Sequence, residues 1–585
     1  MEKRRVEGRK RSKLTQREYY AYLLFTRNQF NPIHLAGKLM QQFVLDSWVK
    51  IEQNRLKFIK QNQAQLRLDT YRGLQDFMMA DDSDSGPPGR RIVLPASYTG
   101  SPRDMVAKYQ DAMSIVARYG KPDLFITVTC NPQWKEIQEA LFSGQTASDR
   151  PDIVARVFKL KLDALLDDLF RKHILGEVAA NIWVVEFQKR RLPHAHILII
   201  LKEAWKPRTT ADVDEIVCAE LPDKETDPIL FEIVSKQMMH RPCGALNPSS
   251  PCMIDGSCSK KFPKEFADCT SMESDGYPRY RRRDDGRFVM CRGVRLSNTS
   301  VVPYNPYLSR KYECHIKVEV CSSITSVKYL YKYVYKGHDR ARIRIHQEVD
   351  GQHQVILDEV KSHLDTRYVC PPEGAHRILE YPMQGRSDHV ERLPVHLEEQ
   401  QNVTFLPGQE AQAVAAEHKT KLTAWFELNR LTGKHTSQTQ SLESLRITPL
   451  ADRSRQLCYH QIPEHYTWND KMKKWQERRQ RSRVVGRMYY VSPKDFERFA
   501  SRLLLLYRKG ATSFTDLRSV NNRSYDTYVE AARAAGYLND DSFYESSMDE
   551  AKAFHMPSEL RGFFCKPYLL LRISQSAQSV GSLQT

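Results

Sequence analysis

The sequence contains no run of roughly 18 or more apolar residues, which excludes a membrane-spanning helix of ordinary length. Its opening stretch, MEKRRVEGRKRSK, lacks the apolar core of a secretion signal, so an intracellular protein without a membrane partner is expected. The 12 cysteines follow no regular framework, a distribution that suits reduced thiols or a metal site better than disulfides. The phosphate-cradling pattern GxxxxGK[ST] occurs nowhere, so no ATP site is expected in this chain.

What is present points toward a polyanion. The chain has 585 residues with 41% hydrophobic content, enough for two or three domains with cores of their own. Lys and Arg total 89 against 71 Asp and Glu, giving a formal charge of +18. Nucleic acid is the commonest partner of such an excess, although exposed cations also serve solubility. The basic cluster Lys3 to Lys13 reads either as a nuclear import signal or as a solvated tail.

Residues 1–13 form a basic tail, and residues 14–79 carry helical patterns in which Leu39, Phe43, Trp48, Ile51 and Leu56 recur at roughly helical spacing. The acidic, then Gly- and Pro-rich, then basic segment 80–91 marks a linker. Residues 92–400 mix strands, such as FITVT (Phe125 to Thr129) and IWVVEFQ, with a helix over Ile153 to Leu175. Residues 401–572 read as largely helical, and 573–585 as a frayed tail. The expected fold class is α+β, an antiparallel sheet with helices packed against it.

Within EFQKRRLPHAHILIIL, strand alternation puts Glu186 and Gln188 on one face, with Trp183, Val185 and Phe187 on the other. A hairpin through Lys189 to Pro193 then brings His194 and His196 opposite them. Imidazoles plus oxygen donors, with positions left open, describe a catalytic metal site for Mg²⁺ or Mn²⁺, with Zn²⁺ also compatible. The competing reading is a pair of satisfied polar side chains on a strand. A histidine-triad hydrolase would need a third histidine at position 198, which is leucine.

The segment YLYKYVYK follows the helix-capping serines Ser322 and Ser323 and precedes Gly337, so a helix is expected over about 324–336. Tyr329 and Tyr333 lie one turn apart on it, each with a lysine three residues on, Lys332 and Lys336. Nearby ammonium groups favour a phenolate, the nucleophilic form. Aromatic packing is the alternative for such a helix. His240, Cys243, Cys252 and Cys258, in an insert spanning 240–269, are either a structural Zn²⁺ set or free thiols. Arg279, Arg281, Arg282 and Arg283, in YPRYRRRDDGR, are candidate DNA contacts or a solvated loop, and Arg190 and Arg191 beside the histidines are candidate DNA contacts too.

Taken in order, FITVTCNPQW, EFQKRRLPHAH and YLYKYVYK resemble the HUH endonucleases, and within them the Rep region of Helitron transposases. REYYAY, LPASYTGSPRDM, VVPYNPYLS, KYECHIKVEV, IPEHYTW, VVGRMYYVSP and TSFTDLRSV extend the resemblance over about residues 14–560. It implies an antiparallel HUH core and metal ligation by His194, His196 and Glu186. It also implies cleavage of single-stranded DNA by Tyr329 or Tyr333 through a 5′-phosphotyrosine in rolling-circle transposition. The family continues into a helicase domain, so this chain is expected to be the cutting and joining half, nuclear, with any helicase acting in trans. A catalytically inactive, nucleic-acid-binding remnant of such a protein is the alternative.

Overall fold

The computed structural model describes residues 13–27, 30–63, 67–70, 90–91, 98, 100–187, 192–272, 278–321, 368–405, 419–435, 453–480, 482–489, 491 and 495–538. The chain divides into two compact units. One comprises Met1–Gln63, Val93–Ala112 and Tyr119–Ser387, and the other comprises Ala64–Ile92, Met113–Arg118 and Asp388–Thr585.

The first unit opens with the helix Gln16–Leu23, started by a capping box between Thr15 and Glu18, and continues into the long helix α1 (Lys38–Gln63). At its centre is a five-stranded sheet built from β1 (Leu124–Thr129), β2 (Val178–Phe187), β3 (Pro193–Leu201), β4 (Ile316–Val320) and β5 (Gln384–Arg386). The strand order is β4-β1-β3-β2-β5, with every neighbour antiparallel. Alternation along the strands gives the two faces opposite characters. One face carries Leu124, Ile126, Val128, Ala195, Ile197, Ile199, Ile316, Val318 and Val320, all buried. Val154, Val157, Phe158, Leu162, Leu165 and Leu169 of helix α2 (Pro151–Phe170) belong to the same core. Each such side chain contributes about 1.5–3 kcal/mol on burial, so this face anchors the sheet.

Helix α2 has Pro151 in its first turn, where a missing N–H costs nothing. It is tied to helix α3 (Pro306–Tyr312) through Asp168, whose buried carboxylate accepts from Tyr312 Oη (2.6 Å), Lys311 Nζ (2.6 Å) and Lys172 Nζ (2.8 Å). Burial pushes this carboxyl up, but the three hydrogen bonds outweigh it and hold the pKa below the ordinary value. Helix α3 ends at Glu313, which adopts a left-handed conformation (φ 45°) and turns the chain into β4. Helix α4 (Pro371–Ile378) shares a second small core with α1, through Ala375, Ile378, Met40, Val44, Trp48 and Ile51.

In the second unit, strands His389–Leu393 and Val484–Met488 pair in parallel. A cross-strand Trp468–Trp475 contact (5.4 Å between centroids) fastens the hairpin Tyr466–Asn469/Lys474–Glu477. Gly486 is required here, because a Cβ would stand 2.0 Å from the carbonyl oxygen of His460.

The α+β class is present, with two corrections to the expected elements. The helical reading of 14–79 ends at Gln63, and Arg67–Thr70 is instead a strand paired with Asn402–Phe405 and with Arg90–Arg91, inside the expected linker. The largely helical reading of 401–572 also fails locally. Helices Lys421–His435, Phe496–Tyr507 and Tyr528–Ala534 alternate with short strands, because aromatic and β-branched runs such as YTWN suit a pleat when a partner strand is nearby. The expected helix 153–175 runs from Pro151 to Phe170.

Candidate functional site

The second face of the sheet is polar at its centre. Cross-strand register sets His194 directly opposite Glu186 on β2 and Thr129 on β1, and His196 opposite Val184 and Thr127. His194, His196 and Glu186 therefore share one face, at the middle of the sheet, where neighbouring strands constrain them on both sides.

His196 is held at both ring nitrogens. Nδ1 lies 3.0 Å from Thr127 Oγ1, and Nε2 lies 3.1 Å from Glu186 Oε2. A hydroxyl can donate or accept, so Thr127 satisfies either tautomer of the ring. Phe125 stacks on the same imidazole, with centroids 5.8 Å apart and planes 7° from parallel. His194 Nδ1 is 3.0 Å from the Leu192 carbonyl oxygen. An N–H donated there leaves Nε2 with its lone pair. Burial pushes the His194 pKa down to about 4, so the ring is neutral at pH 7 and able to ligate.

The donor set fits a divalent cation. Two ligands at right angles about Mg²⁺ or Mn²⁺, with bonds of about 2.1 Å, stand about 3 Å apart. The separation between His196 Nε2 and Glu186 Oε2 is of that size. With His194 this makes three protein donors and leaves positions open, the pattern of a catalytic rather than a structural site.

A different arrangement gathers His240, Cys243, Cys252 and Cys258, whose ligand atoms all lie within 4.8 Å of one another, so the cluster can hold a metal ion. The spacing of Cys252 and Cys258 looked irregular in sequence, and a hairpin explains it. Met253–Ile254 pairs with Ser257–Cys258 across the turn Asp255-Gly256, both at positive φ (48° and 77°), the geometry that Asp-Gly favours. His240 Nδ1 lies 2.9 Å from the Arg241 carbonyl oxygen, and its Nε2 is 3.5 Å from Cys258 Sγ. Burial raises the Cys258 thiol pKa, but backbone hydrogen bonds from Phe262 and Lys260, with those from Cys252 and Cys243, prevail and lower it toward the thiolate. Cys243 moves the other way, pushed up to about 12 chiefly by burial.

The arginine segment is used mainly inside the protein. Arg282 is corrected as a DNA contact. It is buried, and its Nη1 donates to the carbonyl oxygens of Ala219, Asn298 and Val301 at 3.2, 2.6 and 2.7 Å. Arg283 forks onto Glu220 (3.0 and 2.7 Å), Arg279 pairs with Glu265 (2.9 Å), and Arg281 lies 3.5 Å from Glu220. Gln188, Arg190, Arg191, Tyr329, Lys332, Tyr333 and Lys336 lie outside the described residues.

Sequence reasoning overlooked Thr127, although FITVT alternation puts it on the histidine face. It also overlooked His315, Lys317 and Glu319, which alternate with the buried Ile316, Val318 and Val320 in HIKVEV and so occupy that same face on β4.

The first unit thus defines an α+β protein with an antiparallel sheet bearing a two-histidine, one-carboxylate site. Residues 19–199 match the model of the Helitron helicase-like domain at the N-terminus, a span that includes β1, β2 and both histidines. No curated protein matches the chain. Among the described residues no helix is long and apolar enough to cross a membrane.

Proposed function

We propose that this protein is a Helitron-type Rep endonuclease and strand transferase that cuts and rejoins single-stranded DNA in rolling-circle transposition, in the nucleus. The observation that carries this reading is the register that places Glu186 opposite His194 and beside His196 on one face of the central strands. The match of residues 19–199 and the charge of +18 support it.

His194, His196 and Glu186 would hold Mg²⁺ or Mn²⁺, with Gln188 as a further oxygen donor. When bound, the cation polarises the scissile phosphate. Thr127 keeps the His196 ring oriented, as a residue behind a metal ligand does. The phenol of Tyr329 or Tyr333 attacks phosphorus, the bond to the 3′-oxygen breaks, and the phenolic proton is replaced by one gained at the departing oxygen. The products are a 5′-phosphotyrosine and a free 3′-hydroxyl. Lys332 and Lys336 favour the phenolate, and Arg190 and Arg191 contact the strand. Attack by another 3′-hydroxyl reverses the step, so joining needs no ATP, and a helicase would act in trans. The metal of the Cys/His cluster is Zn²⁺ in a structural role, consistent with one nitrogen and three sulfur donors.

The test is a denaturing gel of the full chain with labelled single-stranded DNA and Mn²⁺. A covalent adduct is expected, and it should vanish when Tyr329→Phe and Tyr333→Phe are combined. An adduct that survives both changes would remove these tyrosines from the mechanism.

A further inference from the structure

The histidine face does not end at the two strands that carry the metal donors. Register across β1 extends each histidine row to the edge strand: Glu186, His194, Thr129 and His315 form one row, and Val184, His196, Thr127 and Lys317 the next. With strands about 4.8 Å apart, the Cα atoms of His315 and Lys317 stand about 10 Å from those of His194 and His196. A neighbouring phosphate of a strand lying across the sheet falls within reach of their side chains.

Three features of this edge lack a partner inside the protein. His315 Nδ1 is shielded from solvent and has no hydrogen-bond partner. Glu319 pairs with Lys317 through one carboxylate oxygen (2.6 Å), while its other oxygen is buried without a partner. Lys264 is half-buried, its backbone N–H donating to the Thr299 carbonyl oxygen (2.9 Å) and its ammonium 5.5 Å from the Phe262 ring, yet no carboxylate pairs with it among the described residues. The groups acting on that ammonium are three cations, Arg282, Lys261 and Lys317, against one carboxylate, Glu319. Crowded like charges in a half-buried setting repel, and an anion between them relieves that repulsion.

We propose that Lys264, Lys317 and His315 form a phosphate subsite at the edge of the histidine face, which takes a backbone phosphodiester of single-stranded DNA next to the scissile one. The two lysines supply charge, and the neutral imidazole can supply an N–H to a phosphate oxygen. The inference rests on the strand-transferase reading for the identity of the strand. It does not require that cleavage occur.

Lys264 is the residue to test, because no ion pair is broken by replacing it. Fluorescence anisotropy of the full chain with a labelled single-stranded oligonucleotide, without added Mg²⁺ or Mn²⁺, separates binding from chemistry. Lys264→Gln should weaken binding several-fold at low salt. It should also reduce the slope of log affinity against log salt by about 0.7, the contribution of one phosphate contact on a single strand. Lys264→Arg should restore the slope, and the loss should persist in a His194→Ala background that cannot cut. Unchanged affinity and slope in both Lys264→Gln and Lys264→Glu would overturn the subsite while leaving the nuclease reading untouched. An adduct absent from the wild-type protein would have the reverse meaning.

Discussion

The two candidate metal centres solve one problem in opposite ways. In each, a histidine ties Nδ1 to a backbone carbonyl, Leu192 O for His194 and Arg241 O for His240, and so offers Nε2. The sheet site then gathers three donors from rigid central strands and leaves the cation open. The Cys/His site gathers four donors from a short hairpin and the residues before it, and closes around its cation. The strands of the first have a core to hold them without metal. The hairpin of the second lies among turns with little apolar burial, so its order depends on the ion. Coordination number thus goes with what the surrounding fold can do alone.

The largest break in this contrast should come from the closed site. Cys243→Ser with Cys258→Ser is expected to reduce bound zinc from one per chain to none, and to lower the thermal midpoint by roughly 5–10 °C. Elemental analysis and calorimetry check this, and retained zinc would refute the assignment. His194→Ala or His196→Ala should instead weaken Mn²⁺ binding by about 100-fold while zinc content is kept. Titration calorimetry on the zinc-loaded protein reads both at once.

A smaller effect tests the support behind the open site. Thr127→Val removes the hydroxyl on His196 Nδ1 at nearly constant volume and should cost about 10-fold in Mn²⁺ affinity. Unchanged affinity would mean that strand register alone orients the ring.

The smallest effect is on pH dependence. His194 has its pKa lowered from 6.5 to about 4 by burial. Between those values the unfolded chain takes up a proton that the folded chain refuses. The stability contributed by this neutral ring is therefore complete above pH 6.5 and is lost as pH falls toward about 4. Urea midpoints should show wild type losing more stability than His194→Asn between about pH 7 and pH 5. Parallel curves would show that the ring is not buried as described.

Much of the open site was legible because it rests on a period of two. Once VVEF and HAHI are strands, Glu186 must share a face with one histidine row or the other, and the apolar residues between them fix which face is buried. The same rule applied to HIKVEV would have found His315 and Lys317. The Cys/His cluster was only half legible, since a five-residue gap between thiols reveals nothing until Asp255-Gly256 is read as a tight turn. Arg282 misled for a different reason. A run of arginines looks uniformly exposed, but one of them satisfies three backbone carbonyls inside the fold, and only tertiary structure distinguishes it. Likewise Arg67–Thr70 has no pattern that separates it from the preceding helix, and its partner strand is more than 300 residues away.

The central claim is that the open histidine site drives metal-dependent cutting of single-stranded DNA. The most direct test compares wild type with the combined His194→Ala and His196→Ala variant, both zinc-loaded, for covalent adduct formation with and without Mn²⁺. The account predicts an adduct only for wild type with Mn²⁺. An adduct of equal yield in the double variant, or in wild type without any divalent cation, would contradict it.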